Sequence, residues 1–280
     1  MNRRRDNRHN NISRTISISY QGLARVDGSA RFSFGETSSV ASVSGPIEVR
    51  LAAEQASQAT FEVITRPLSN VAATESKAIS SAVRAAILPS LILNKHPRTL
   101  VQLVVQALSS PRTRWKQPLI SCMINSSSLA LLNAASVPMC GVVCAVAVGH
   151  LPDVGFVVDP SEDECAYIDA GGCFAFMFAE GVGSGIENVW SSWRSQSGTF
   201  AEKDFTDARA LAQAGAQRVS KGSEGWELAL MTIMRWRSEL GCILSVLSST
   251  HITSHARLIS FDSKMRTNSF VHLTKSKRPS

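Results

Sequence analysis

The six cysteines of this 280-residue chain form no Cys-x-x-Cys pair and have no companion histidine at ligand spacing. That pattern argues against a zinc site and leaves buried, reduced thiols as the expectation. Aromatic residues are scarce at 6%, and no periodic repeat runs along the chain. The longest apolar runs, such as 140–149, fall well short of the ~20 residues needed to cross a bilayer. Arg3-Arg4-Arg5 is followed by asparagines and serines rather than an apolar stretch, so it does not read as a secretory leader. The expectation is an intracellular chain with no membrane association.

Charge of one sign is lacking where the domain should lie. The net +7 comes from the ends: residues 1–18 carry five arginines against Asp6, and residues 251–280 carry six lysines and arginines against Asp262. Between them 18 basic residues face 20 acidic ones. A basic balance points to nucleic acid because phosphate contacts dominate such binding. Here that argument reaches only the ends, which could graze RNA, carry an import signal, or be merely solvated. The expected organisation is a disordered basic tail over 1–18, one domain over 19–243, and a second disordered basic tail over 244–280. A chain of this length suffices for one substantial core.

Within the domain, Phe32 and Phe34 alternate with Arg31 and Ser33. Val40, Ala41 and Val43 follow, then Ile47, Val49 and Leu51 beyond a Gly45-Pro46 break. On pattern alone this is an edge hairpin with a turn or bulge at the proline. Residues 59–66 alternate as a strand. Residues 75–88 predict a helix with Ala78, Ile79, Ala82, Val83, Ala86 and Ile87 on one face and Thr74 as N-cap. Residues 100–108 read as a buried strand, 119–124 as another, and 126–135 as a short core helix. Strand pairs follow at 140–148 with 154–158, and at 174–178 with 189–193. Helices are expected from Asp204 onward and over 226–240. This order of elements is α+β rather than doubly wound.

Three landmarks crowd into residues 23–49: Arg25-x-Asp27-Gly28, Gly28-Ser29-Ala30 and Gly45-Pro46-Ile47-Glu48-Val49. Later come His96-Pro97-Arg98-Thr99, Ser128-Leu129-Ala130-Leu131 ahead of Val137-Pro138-Met139, and Val158-Asp159-Pro160 ahead of an acidic run. Together they resemble the RNase PH family, and within it the ring subunits of the eukaryotic RNA exosome. The resemblance spans about 23–240. It implies the RNase PH fold, the β-α-β-α arrangement shared with the second domain of ribosomal protein S5. Residues 110–117 depart from the family and read as a loop insertion, and the segment after 244 matches nothing in it.

The resemblance implies a phosphorolytic 3′ to 5′ exoribonuclease, which needs an arginine-lined phosphate pocket and a carboxylate beside the scissile bond. In relatives a Gly-Thr-Arg or Gly-Ser-Arg motif at the start of the central strand holds the phosphate. Threading back from Ser128 without a gap puts Leu119 and Ile120 there, and apolar side chains cannot bind phosphate. A gap placed elsewhere brings Thr113-Arg114 to that position, with Arg84 as a remnant of the second phosphate arginine. The position of the family's catalytic aspartate reads Gly171, with Asp169 two residues earlier on the same strand face. The expectation is therefore no catalytic residue, no metal and no cofactor. Asp169, Arg114 and Arg84, with inorganic phosphate and a divalent metal, enter only if the chain is active.

As a silent ring subunit, the chain is expected to pair with other RNase PH-like subunits in a six-membered ring and to meet cap proteins. It would guide single-stranded RNA, including ribosomal RNA precursors, in nucleus, nucleolus and cytoplasm. Arg98, Arg112 and Arg114 are the RNA-contact candidates, because a guiding channel needs diffuse positive charge. Trp190, Trp193, Trp226 and Trp236 read as core or interface anchors rather than base-stacking platforms.

Overall fold

The computed structural model describes residues 4, 6–20, 22–69, 71, 73–179, 185–196 and 202–221. The chain divides into two units, Met1–Ser238 and Glu239–Ser280, and everything described belongs to the first. The helix expected over 226–240 and the tail over 244–280 lie outside the described residues. No described helix is long and apolar enough to cross a membrane.

The first sheet contains β1 (Ile16–Ser19), β2 (Gly28–Phe34), β3 (Thr37–Glu48), β4 (Thr60–Arg66) and, beyond helix α1 (Thr74–Ile87), β5 (Thr99–Ala107). Their order is β1-β2-β3-β5-β4, with β4 and β5 parallel and the other pairs antiparallel. Helix α2 (Gln117–Ala134) follows, and then β6 (Val142–Leu151), β7 (Gly155–Val158), the short α3 (Glu162–Cys165), β8 (Ala170–Phe178) and β9 (Ile186–Ser195). These four strands form a second, antiparallel sheet in the order β7-β6-β8-β9. Helix α2 packs against both sheets, α1 against β4 and α2, and α4 (Glu202–Lys221) against β6, β7 and β8.

Helix α2 replaces the strand expected over 119–124 and includes the short helix expected over 126–135. From Gln117 to Leu131 only Ile120 is not buried, so the segment lacks the one-sided periodicity that marks a surface helix. Its buried hydroxyls are satisfied within the helix: Ser121 Oγ donates to the Pro118 carbonyl at 2.9 Å and Ser127 Oγ to the Met123 carbonyl at 2.6 Å. Others bind β6. Ser128 Oγ donates to the Val143 carbonyl at 2.7 Å. Asn125 donates from Nδ2 to the Ala145 carbonyl at 2.9 Å and accepts the Ala145 N–H at 2.7 Å.

The hairpin of β2 and β3 is internal, because β1 covers one side and β5 the other. The pairing of β3 with β5 shifts register between Ser44 and Ile47, placing a bulge at Gly45-Pro46. Asp27 Oδ2 accepts the Gly45 N–H at 2.8 Å, and Ser136 Oγ donates to the Gly45 carbonyl at 2.6 Å. Gly28 allows the end of α2 to approach; a Cβ there would stand 2.3 Å from the Ala134 nitrogen. The crowded landmarks are thus structural clasps. The predicted N-cap moves by one: the cap position is Ala73, with no side-chain hydrogen bond, and Thr74 begins the helix.

The N-terminal segment is no solvated tail. The side chain of Arg4 is 0% exposed; Nε and Nη2 donate to the two Glu164 carboxylate oxygens at 2.9 and 2.6 Å. Its Nη1 and Nη2 also donate to the carbonyls of Val158 and Asp159. Arg14 clamps the buried Asp159 carboxylate from Nε and Nη2 at 2.9 and 2.7 Å. The Val158 N–H donates to the Asn10 carbonyl, so the segment covers the free edge of β7.

Glu164 feels opposing influences: burial pushes its carboxyl up, but the Arg4 hydrogen bond, the Ser161 N–H and the Arg4 charge outweigh it and hold the group below its ordinary range. A folded-state value below the unfolded one contributes stability above the ordinary glutamate value of about 4.3, lost as pH falls through the lower folded value. Acid titration of stability is expected to steepen below about pH 4.3, and Glu164→Gln to flatten that limb in melts taken between pH 6 and pH 3.

Candidate functional site

Helix α2 is continuous from Gln117 through Ser128. Leu119 and Ile120, which the ungapped threading sets against the phosphate motif, stand at the start of this helix rather than of a strand. Leu119 is buried in the core. Ile120 lines a pocket of about 150 Å³ between α1, the first turn of α2 and β9.

That pocket is walled by Ile79, Ile120 and Trp190 and rimmed by Arg114, Lys116 and Arg194. Lys116 is ion-paired with Glu75, also on the rim. Neither Arg114 nor Arg194 has an acidic partner among the described residues. Gln117 lines the same pocket, is 7% exposed, and leaves its Oε1 without a donor. Sequence reading missed Gln117 and Arg194. Trp190, Ser192 and Arg194 share one face of β9 by two-residue alternation, which was the available signal for Arg194.

Arg194 is the cross-strand partner of Gly171. A Cβ at residue 171 would stand 2.8 Å from the Val148 carbonyl oxygen and 3.2 Å from the Gly149 Cα. Asp169 binds His150, with Oδ1 2.7 Å from the ring Nδ1, and lines neither this pocket nor the hollow beside Arg84. Arg84 sits on the exposed face of α1, donating from Nε to the Phe61 carbonyl at 3.3 Å, beside that separate hollow. Asp169, Arg114 and Arg84 are not brought together.

Arg98 is exposed and ion-paired with Glu54 at 3.3 Å. Arg112 lines a groove of about 670 Å³ between the β2–β3 turn, the segment after β5 and residues 160–167, and its backbone N–H donates to Glu162. The segment read as an insertion is anchored: Trp115 packs with Val154 against Leu151, Val157, Cys165 and Ile168. Arg112 and Arg114 flank that anchor and face different hollows. No group of three or more metal-ligating side chains occurs among the described residues. Burial pushes the Cys122 and Cys165 thiols up to about 12 and those of Cys144 and Cys173 up as well, so none of the four is a nucleophile at neutral pH.

A model of the RNase PH family, described as "3′ exoribonuclease family, domain 1", matches residues 13–136. The exosome complex component RRP46 of Saccharomyces cerevisiae is 32% identical over 171 residues, 60% of this chain and 75% of that protein. The chain belongs to the RNase PH family. The exosome complex component rrp46 of Schizosaccharomyces pombe is 37% identical over 112 residues, 40% of this chain and 48% of that one. The crystal structure of rice Rrp46 superposes with a TM-score of 0.68 at 24% identity, covering 78% of this chain and 96% of the other. The RNase PH fold expected from the landmarks is the fold observed.

This RNase PH chain has a cationic hollow beside β9, with Gly171 opposite Arg194 in register. Gly171→Asp is expected to yield no phosphate-dependent release of nucleotides from RNA. It should also cost about 1–3 kcal/mol of stability by overpacking against β6. A nuclease assay and a denaturant titration of the same preparation check both halves.

Proposed function

We propose that this chain is a non-catalytic wall subunit of an exosome-type ring, supporting the threading of RNA for 3′ to 5′ processing and degradation, ribosomal RNA included. The carrying observation is position 171, where a Cβ would stand 2.8 Å from the Val148 carbonyl oxygen and a carboxylate has no room; the ungapped threading adds the apolar Leu119 and Ile120 at the phosphate-motif position. Each removes a component that phosphorolysis requires. Relatives named as exosome components support ring membership. The partners are other RNase PH-like subunits, cap proteins and single-stranded RNA, with no cofactor or metal of its own. Arg98, Arg112, Arg114 and Arg194 supply diffuse positive charge, which tracks a phosphate backbone without reading bases. Nucleus, nucleolus and cytoplasm are the compartments where such a subunit would work.

The test is affinity purification of the tagged full chain from its own cells at moderate salt, with identification of every stoichiometric component. Recovery with five other RNase PH-like subunits and cap proteins is the expected result. A free homodimer that releases nucleoside diphosphates from RNA in the presence of phosphate would overturn it.

A further inference from the structure

The pocket at the first turn of α2 joins the charge already invoked to two properties not yet used. Its cations Arg114 and Arg194 are left over after Lys116 pairs with Glu75, giving the rim an excess of two positive charges. Its wall carries Trp190, an aromatic surface on which any base can stack. Its floor holds the Gln117 amide, buried, with an oxygen that no protein donor satisfies. A buried acceptor without a donor is costly, because it has given up its water and gained no hydrogen bond in return. The last torsion of glutamine is soft, so the oxygen turns toward the pocket at little expense.

Two unpaired cations suit phosphate, an aromatic face suits a base, and an orphaned acceptor suits an O–H or N–H donor. At about 150 Å³ the space suits a sugar more than a whole nucleotide. A ribose within a phosphodiester strand meets all of these, and its 2′-hydroxyl is the donor that DNA lacks. We propose that this pocket holds one ribose of a passing single-stranded RNA, with Gln117 Oε1 accepting the 2′-hydroxyl and Arg114 and Arg194 on the flanking phosphates. Gln117 is then a specificity-determining residue that distinguishes RNA from DNA. This inference rests on the reading that the chain guides RNA without cutting it. Trp115 is the positioning residue, because its packing beside Val154 fixes the segment that presents Arg114.

The experiment uses the tagged full chain with whatever co-purifies. It is irradiated with RNA or DNA strands of one sequence carrying 4-thio-substituted uracil, and crosslinks are mapped by peptide. The expected result is a crosslink in the peptide containing Trp190, at least fivefold stronger for RNA than for DNA. Gln117→Leu should bring RNA down to the DNA level, and Arg194→Gln should weaken both strands alike. Equal yields from RNA and DNA in the unaltered chain, or no crosslink in that peptide, overturn the proposal. If Gln117→Leu fails to fold, strands bearing a single 2′-deoxy position in RNA give the same comparison on the unaltered chain. Ring partners in the eluate with no RNA preference sink only this proposal. Their absence sinks the reading beneath it.

Discussion

Arg4→Met is expected to destabilise the domain by about 3–5 kcal/mol, although it alters a residue in a segment that composition marks as a tail. The substitution leaves the Glu164 carboxylate buried, 1% exposed, without its bidentate partner. It also strips a donor from each of the Val158 and Asp159 carbonyls. Breaking one side of a buried pair costs more than the pair itself contributes, because the remaining charge keeps its desolvation penalty. The double variant Arg4→Met with Glu164→Gln should therefore be less destabilised than the sum of the two single variants. Urea midpoints of the four proteins check this. A change below about 0.5 kcal/mol for Arg4→Met would mean that the segment is a solvated tail after all.

Asn125→Ala is expected to cost a comparable amount for a different reason. The Asn125 amide stands in for a strand partner, donating to the Ala145 carbonyl and accepting the Ala145 N–H across the α2–β6 contact. Residues 142–148 of β6 are all buried, so water cannot replace it. Removing the amide leaves two buried backbone groups unpaired at about 1–3 kcal/mol each, roughly 2–6 in total. Asn133→Ala is the matched control, since Asn133 is exposed and makes a single bond to the Ser29 carbonyl at 3.0 Å. It should lose no more than about 1 kcal/mol. Thermal melts of the two side by side would show a gap of several degrees if the amide clasp acts as described.

Where one side of an element is buried and the other is wet, the sequence pattern was sufficient. β4, β5 and α1 were legible in that way, and so was the start of α4, whereas the nearly fully buried β6 was legible only as an apolar run ended by a turn. The alternation of β5, buried at Val101, Leu103, Val105 and Ala107, is such a case. Only the second half of helix α2 was legible as helix, because a helix held between two sheets is buried all round and its apolar stretch 119–124 passes for a strand. The expectation that Leu119, Ile120 and Gly171 stand where an active relative carries an arginine and an acid came from position alone. That Gly171 could not be an acid without a clash did not, because the obstructing carbonyl belongs to another strand.

The sequence by itself determined the family and the fold class, since motif spacing and two-residue or helical periodicity are local properties. Only the tertiary structure decided the rest. Arg4 became part of the core because Glu164 lies 160 residues away in the chain and meets it in space. Arg114, Gln117 and Arg194 came to line one pocket because α1, the first turn of α2 and β9 converge around it. Burial and charge pairing at long sequence separation leave no periodic trace in a chain, so folding alone discloses them.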